Sequence, residues 1–318
     1  MKELRKSISL ILTMLILAIL TAGCSVFRSI YEPTITLTST KEPPTTTVVP
    51  SSTNTSEPTV ILLTTDTPIP TPITSIEERG VRITIVFNNI PYDTRLTTSW
   101  GFGAFIEYDG HVLLFDTGGS GSILLNNMEQ LGLDPQRIEV IVLSHIHGDH
   151  VDGLIDLLYT GVKPIVYLPT AFPETFKYTV RTYTDVVEVR DPVEIFPGVY
   201  STGELGTIVE QALIVETAEG IVMITGCAHP GVVRMIRKAK SIVEGEVALV
   251  IGGFHLEGTS RSQIESIIED FRSLGVKKVG PSHCTGEVAI SMFADEYGDD
   301  FLEAGVGRVI VIGPEPTE

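Results

Sequence analysis

The stretch Ser144-His145-Ile146-His147-Gly148-Asp149-His150 puts three imidazoles and a carboxylate within six residues. Such groups are costly to bury unless something pairs with them. Neutral imidazole and carboxylate are the donors that borderline divalent metals take. In an extended or tight loop His145 and His147 project to one side, because they stand two residues apart. Asp149 and His150 follow the turn at Gly148 and can serve a second ion.

Three further histidines share one local pattern. His229 lies in Gly226-Cys227-Ala228-His229-Pro230-Gly231, His255 in Gly252-Gly253-Phe254-His255-Leu256, and His283 in Gly280-Pro281-Ser282-His283-Cys284. Each follows an apolar run of strand character and is flanked by Gly or Pro. Strand C-termini are where α/β folds build their sites. His111 stands outside this pattern and reads as structural or exposed.

The elements that must position these residues alternate along the chain. Strands are expected at 81–87, 103–108, 111–115, 138–143, 165–168, 212–215, 221–225, 247–251, 276–279 and 309–312. The Tyr108-Asp109-Gly110-His111 sequence is a turn signal between the second and third. Helical spacing appears at 123–131, 151–158, 232–242 and 264–274, the first and last closed by Gly132 and Gly275. Strands dominate early and helices enter between later strands. The expected fold is therefore α/β, with two sheets covered by helices.

The run His145-Ile146-His147-Gly148-Asp149-His150 resembles the HxHxDH motif of the metallo-β-lactamase superfamily. The further set GFGAFIEYDG, LLFDTGGSG, GCAHPG, GGFHL and SHCTG resembles one branch, the 7,8-dihydropterin-6-yl-methyl-4-(β-D-ribofuranosyl)aminobenzene 5′-phosphate synthases. The likeness runs from about Val81 to Ile312. It implies an αββα sandwich of two mixed sheets between helices. It also implies that His145 and His147 bind one metal, and Asp149 and His150 a second. Asp116 matches an upstream Asp that holds the ligands by hydrogen bonds, and His283 matches the last metal-binding His. At Gly226-Cys227 the superfamily elsewhere carries a bridging Asp, so either Cys227 replaces it as a thiolate or His229 supplies the extra ligand. A Cys227–Cys284 disulfide would compete with ligation. His255 is a candidate for substrate contact or acid/base work.

The implied cofactor is one or two divalent ions, zinc foremost, with manganese or iron also compatible. The implied reaction is hydrolysis of a phosphoester, lactone or thioester, the ions making hydroxide available near neutral pH. Asp149 would orient the nucleophile. The alternatives are a ribofuranosylaminobenzene-phosphate synthase-like transferase and, behind it, a non-catalytic metal-binding lipoprotein.

Charge narrows the partners. With 22 Lys+Arg against 40 Asp+Glu, the net charge of −18 argues against a nucleic-acid-binding face. The expected partner is a small anionic or ester-containing substrate, drawn by the metals rather than by the surface. Three Cys are too few for a disulfide scaffold.

The N-terminus reads as an address. Lys2, Arg5 and Lys6 precede an uncharged apolar run, Ile8–Ala22, which is a signal-peptide pattern. Leu20-Thr21-Ala22-Gly23-Cys24 resembles a bacterial lipobox, with Cys24 as the lipidated residue. Fifteen Thr and eight Pro between Glu32 and Gly80 leave no means of building a core there. The expected organisation is a signal at 1–23, a Thr/Pro-rich disordered stalk at 24–79, a catalytic domain at 80–314 and a tail at 315–318. The expected location is the outer face of the cytoplasmic membrane, with a lipid anchor as the sole membrane contact.

Overall fold

The computed structural model describes residues 75–316. The signal, Cys24 and the stalk up to residue 74 lie outside the described residues. Residues 75–79, assigned to the stalk on sequence, are ordered here. A 3₁₀ turn at Ile76–Glu78 leads into Arg79, which is buried and whose carbonyl accepts a bond from the Ala218 amide.

The chain then runs β1 (Val81–Asn88), β2 (Phe102–Tyr108), β3 (His111–Phe115), α1 (Gly121–Gln130), β4 (Val140–Val142), α2 (Gly148–Val151) and α3 (Leu154–Tyr159). It continues with β5 (Ile165–Pro169), α4 (Glu174–Arg181), β6 (Val186–Val189), β7 (Val193–Phe196), β8 (Val199–Ser201), β9 (Leu213–Thr217) and β10 (Gly220–Thr225). It ends with α5 (Val232–Ile242), β11 (Val247–Gly253), α6 (Arg261–Ser273), β12 (Val276–Ser282), α7 (Glu287–Tyr297) and β13 (Val309–Ile312). Asp109 and Gly110, both at positive φ, make the β2–β3 hairpin turn that the sequence signals. The helix expected at 151–158 is two short helices, α2 and α3, and α2 already contains Asp149 and His150.

Two mixed sheets form. One has the order β13-β1-β2-β3-β4-β5-β6 and the other β12-β11-β10-β9-β8-β7. β3, β4, β5 and β6 are mutually parallel, as are β10, β11 and β12. The remaining pairings are antiparallel.

Alternation along the strands gives each sheet two apolar faces, so three cores result. Ile83, Ile85, Phe102, Phe115, Val142, Leu213, Ile224 and Ile251 fill the space between the sheets. Val86, Phe105, Leu114, Ile141, Leu124 and Leu157 pack the outer face of the first sheet under α1 and α3. Met223, Val250, Met235, Ile264, Phe271 and Phe293 pack the outer face of the second under α5, α6 and α7. The layers are thus helix, sheet, sheet, helix. The C-terminal ends of β3, β4, β10, β11 and β12 carry Asp116, the His145–His150 loop, Cys227 with His229, His255, and His283.

Candidate metal centre

The backbone in these loops is bent in a way that strands cannot continue. Among the described residues five non-glycine residues have positive φ, and four of them are Asp116, Ala228, His255 and His283. Such conformations persist only where the surroundings over-determine them, which is common at functional sites.

Asp116 organises the His145–His150 loop. It is fully buried, and one oxygen accepts the Ser144 amide at 2.7 Å. The other oxygen accepts Ser144 Oγ at 2.7 Å and lies 2.7 Å from His150 Nδ1. Burial raises its pKa to about 7, against the opposing pull of His145 and the Ser144 bonds. Gly226 lets this cluster close up, because a Cβ there would collide with Ser144 Oγ and sit 3.0 Å from Asp116 Oδ2.

The hydrogen-bond network assigns the imidazole tautomers. His150 donates through Nδ1 to Asp116. Ser144 Oγ gives its proton to Asp116 and so accepts from His145 Nδ1 at 2.9 Å. His229 Nδ1 donates to Glu210 at 2.9 Å, and His283 Nδ1 to Asn89 Oδ1 at 2.8 Å. In all four rings Nδ1 is occupied and Nε2 is left bare. This is how metal-ligating histidines are held: one nitrogen tied to an acceptor, the other presented to the ion.

These Nε2 atoms point at one another's neighbours, at a thiol and at a carboxylate, and that of His283 is left without a hydrogen bond. That nitrogen is buried, with Asp149 Oδ2 3.2 Å away. His145 Nε2 faces His147 Nδ1 at 3.1 Å, and His150 Nε2 faces Cys227 Sγ at 3.2 Å. An orphaned buried imidazole nitrogen beside a carboxylate, a thiol and further imidazoles is a donor set that a cation would share. The residues therefore fit a divalent metal.

Three ligand sets have donor atoms within 4.8 Å of one another: Asp149, His150, Cys227 and His283; His145, Cys227 and His229; and Cys227, His255 and Cys284. Cys227 belongs to all three. The choice between Cys227 and His229 that the sequence leaves open does not arise in the structure, which brings both to the centre. Both Cys227 and Cys284 are free thiols here. His147 sits at the exposed edge, its ring 4.6 Å from that of His145 and 4.8 Å from that of His229. His255 is also exposed, with its ring 4.4 Å from His229.

Electrostatics suit neutral rings and charged carboxylates. Burial, then His150, lowers the His145 pKa to about 3, and burial lowers that of His150 to about 4. Burial also depresses His283 and His255. Burial would raise the Asp149 carboxyl, but the contact with His283 and the nearby His150 outweigh it and hold it below its usual range. The Cys227 thiol is pushed up by its contact with Cys284 and by burial. A coordinating cation reverses that preference and deprotonates the thiol.

Two supporting residues escape the sequence reading. Glu210 is fully buried; its carboxylate accepts the Cys227, Ala228 and His229 amides at 2.9, 2.8 and 2.9 Å and His229 Nδ1 at 2.9 Å. Burial pushes its pKa up, yet His229, His145 and these amides hold it at about 2. Its one signal is an acid set just before the apolar strand 212–215. Asn89 follows β1 with no motif around it. His111 lies at the far end of β3, stacked on Phe196 with centroids 4.0 Å apart and 3.1 Å from Glu139, away from the centre.

Residues 103–283 match the family model of the metallo-β-lactamase superfamily. The chain belongs to that superfamily. Among curated relatives, the 7,8-dihydropterin-6-methyl-4-(β-D-ribofuranosyl)-aminobenzene-5′-phosphate synthase of Methanocaldococcus jannaschii is 30% identical over 272 residues, covering 69% of this chain and 92% of that protein. A solved metal-dependent hydrolase of the β-lactamase superfamily is 27% identical, with a TM-score of 0.63, covering 74% of this chain and all of that one. The metallo-β-lactamase fold protein YhfI of Bacillus subtilis shares the fold at 14% identity and a TM-score of 0.53, covering 73% of this chain and 99% of that one. The two mixed sheets between helices are the superfamily's sandwich, and the His/Asp/Cys clusters at its strand ends can bind metal.

Proposed function

We propose that this metallo-β-lactamase superfamily chain is a metal-dependent hydrolase of a phosphoester, lactone or thioester, with zinc as the preferred ion. The observation that carries it is the set of four histidines whose Nδ1 atoms are tied off and which fall, with Asp149, into two donor clusters joined by Cys227. A thiolate among the donors suits zinc or iron better than magnesium or calcium. Bound there, one or two divalent ions lower the pKa of coordinated water to about 7 and polarise the ester oxygen.

The chain's own residues do the rest. Asp116, Glu210 and Asn89 fix the ring tautomers, so no imidazole need turn on metal entry. Asp149, ionised and only part-buried, accepts a hydrogen bond from an attacking water and orients it. His255, whose pKa is lowered by burial, is neutral at pH 7 and can take up the proton that the attacking water gives up, then return it to the departing alcohol or thiol. The purified protein should contain bound zinc and turn over at least one of bis(4-nitrophenyl) phosphate, an acyl-homoserine lactone and an acyl thioester. His145→Ala with His147→Ala should lower the metal content and abolish turnover. Metal-replete protein inert on all three classes would sink the reading.

A second reading has one specific observation behind it: the curated relative at 30% identity is a synthase. Turnover only with an aminobenzoate and a phosphoribosyl donor would favour it. The proposed location, a lipid anchor at Cys24 on the outer face of the cytoplasmic membrane, rests on the signal and lipobox pattern. Cys24→Ala should move the protein from the membrane to the soluble fraction.

A further inference from the structure

A cavity of about 820 Å³ opens beside His283. Its wall includes Trp100, Ile90, Pro91, Leu256 and Val288, and its charged members are Glu257 and Glu287. Among the described residues no Lys or Arg lines it. Glu287 stands in the first turn of α7 and offsets the positive end of that helix. The cavity is thus apolar with an acidic rim, while the metal centre next to it attracts anions.

Trp100 is the single tryptophan of the chain and is 52% exposed. A half-exposed indole leaves much apolar area in water, which is favourable to cover. Its backbone is nevertheless fixed. Gly101 has φ +138°, and a Cβ there would collide with the Asp149 carbonyl. A Cβ at Gly119 would lie 3.2 Å from the Trp100 carbonyl. The Trp100 segment is therefore packed on the loop that carries Asp149. Its ring centroid stands 4.8 Å from that of His283, at 54°. A substrate group extending past His283 meets this ring in a cavity that Leu256 and Val288 also line.

We propose that this cavity is the subsite for a flat aromatic portion of an ester substrate that carries no negative charge, and that Trp100 selects it. The inference rests on the hydrolase reading and narrows its substrate class. Aromatic stacking on a fixed indole discriminates against alkyl groups of similar area because the π-faces add to area burial. A carboxylate or second phosphate in the cavity would meet Glu257 and Glu287.

The single tryptophan makes the test direct. Metal-loaded protein is titrated with phenyl phosphate, n-butyl phosphate, inorganic phosphate and benzyl alcohol, following tryptophan fluorescence and calorimetry. Phenyl phosphate should perturb the fluorescence and bind about tenfold more tightly than n-butyl phosphate, a difference of about 1.4 kcal/mol. Trp100→Ala should erase that preference with zinc content unchanged, and Trp100→Phe should keep most of it. Equal binding of the phenyl and butyl esters, or a preference that survives Trp100→Ala, overturns the subsite. The two readings fail separately. Equal binding with hydrolysis of both esters removes the subsite and leaves the hydrolase. Perturbation of Trp100 by benzyl alcohol and phenyl phosphate, without hydrolysis of any ester, leaves the subsite and removes the hydrolase.

Discussion

His145, His150, His229 and His283 each have a fixed acceptor on Nδ1, and the acceptors come from four different places in the chain: Ser144, Asp116, Glu210 and Asn89. Removing one such partner frees the ring to rotate or change tautomer. Glu210→Gln should weaken zinc binding by about 10–100-fold, measured by competition with a chromophoric chelator. An unchanged affinity would mean that Glu210 merely fills space. His255→Ala should lower kcat about a hundredfold with zinc content intact, as expected of a group that takes up and returns a proton; a loss of zinc instead would place His255 among the ligands. At this scale the sequence is legible wherever spacing is dense. Three imidazoles and an Asp in one loop announce a metal site, and Gly or Pro beside a strand-end His announces a loop built for one. Glu210 and Asn89 are silent because they act through single hydrogen bonds across the fold, leaving no local pattern.

The elements behave similarly. β1 through β5 and β9 through β13 were readable because burial on both faces produces apolar runs. The stretch from α4 to β8 was not, since its strands are three or four residues long and mostly half-exposed, and α4 spans only eight residues. α7 was missed because both ends carry Gly and its apolar residues do not make one stripe. Under α6 and α7, Phe271 packs at a tilt against Phe254 and Phe293, with centroids at 5.5 and 5.1 Å. Phe271→Ala should cost about 3–5 kcal/mol in chemical denaturation. A cost under 1 kcal/mol would mean that this face repacks freely.

In the first sheet, Glu188 on β6 pairs with Lys177 at 2.7 Å and Arg181 at 2.5 Å on α4. Lys177, then Arg181, holds the Glu188 carboxyl below its ordinary 4.5. A depressed carboxylate contributes stability that is present above the unfolded value and lost as pH falls through the folded one. The stability gap between wild type and Glu188→Gln should therefore be largest at neutral pH and close below pH 4.5; a gap independent of pH would contradict the pairing. Glu188 is largely screened by solvent, so the gap should be small.

At the scale of the whole molecule, the described residues 75–316 form the α/β sandwich that the order of strands and helices along the sequence implies. The net charge of −18 sets a long-range field that opposes an anionic substrate until it reaches the centre. Raising ionic strength from about 10 mM to about 150 mM, which shortens the screening length to about 8 Å, should raise kcat/KM for a phosphate ester. A fall would mean that local positive potential at the metals dominates steering. The sequence could not reveal that Cys227 joins all three ligand sets, because that meeting depends on the loop after β4 of one sheet facing the ends of β10, β11 and β12 of the other.

That meeting is the account's central claim, and cobalt substitution tests it most directly. The wild-type protein loaded with Co²⁺ should show thiolate-to-metal charge-transfer absorption and bind the ion tightly. Cys227→Ser should lose that absorption and bind more weakly, while Cys284→Ser should retain it. Absorption that persists in Cys227→Ser, or wild-type protein that binds no Co²⁺, would contradict the account.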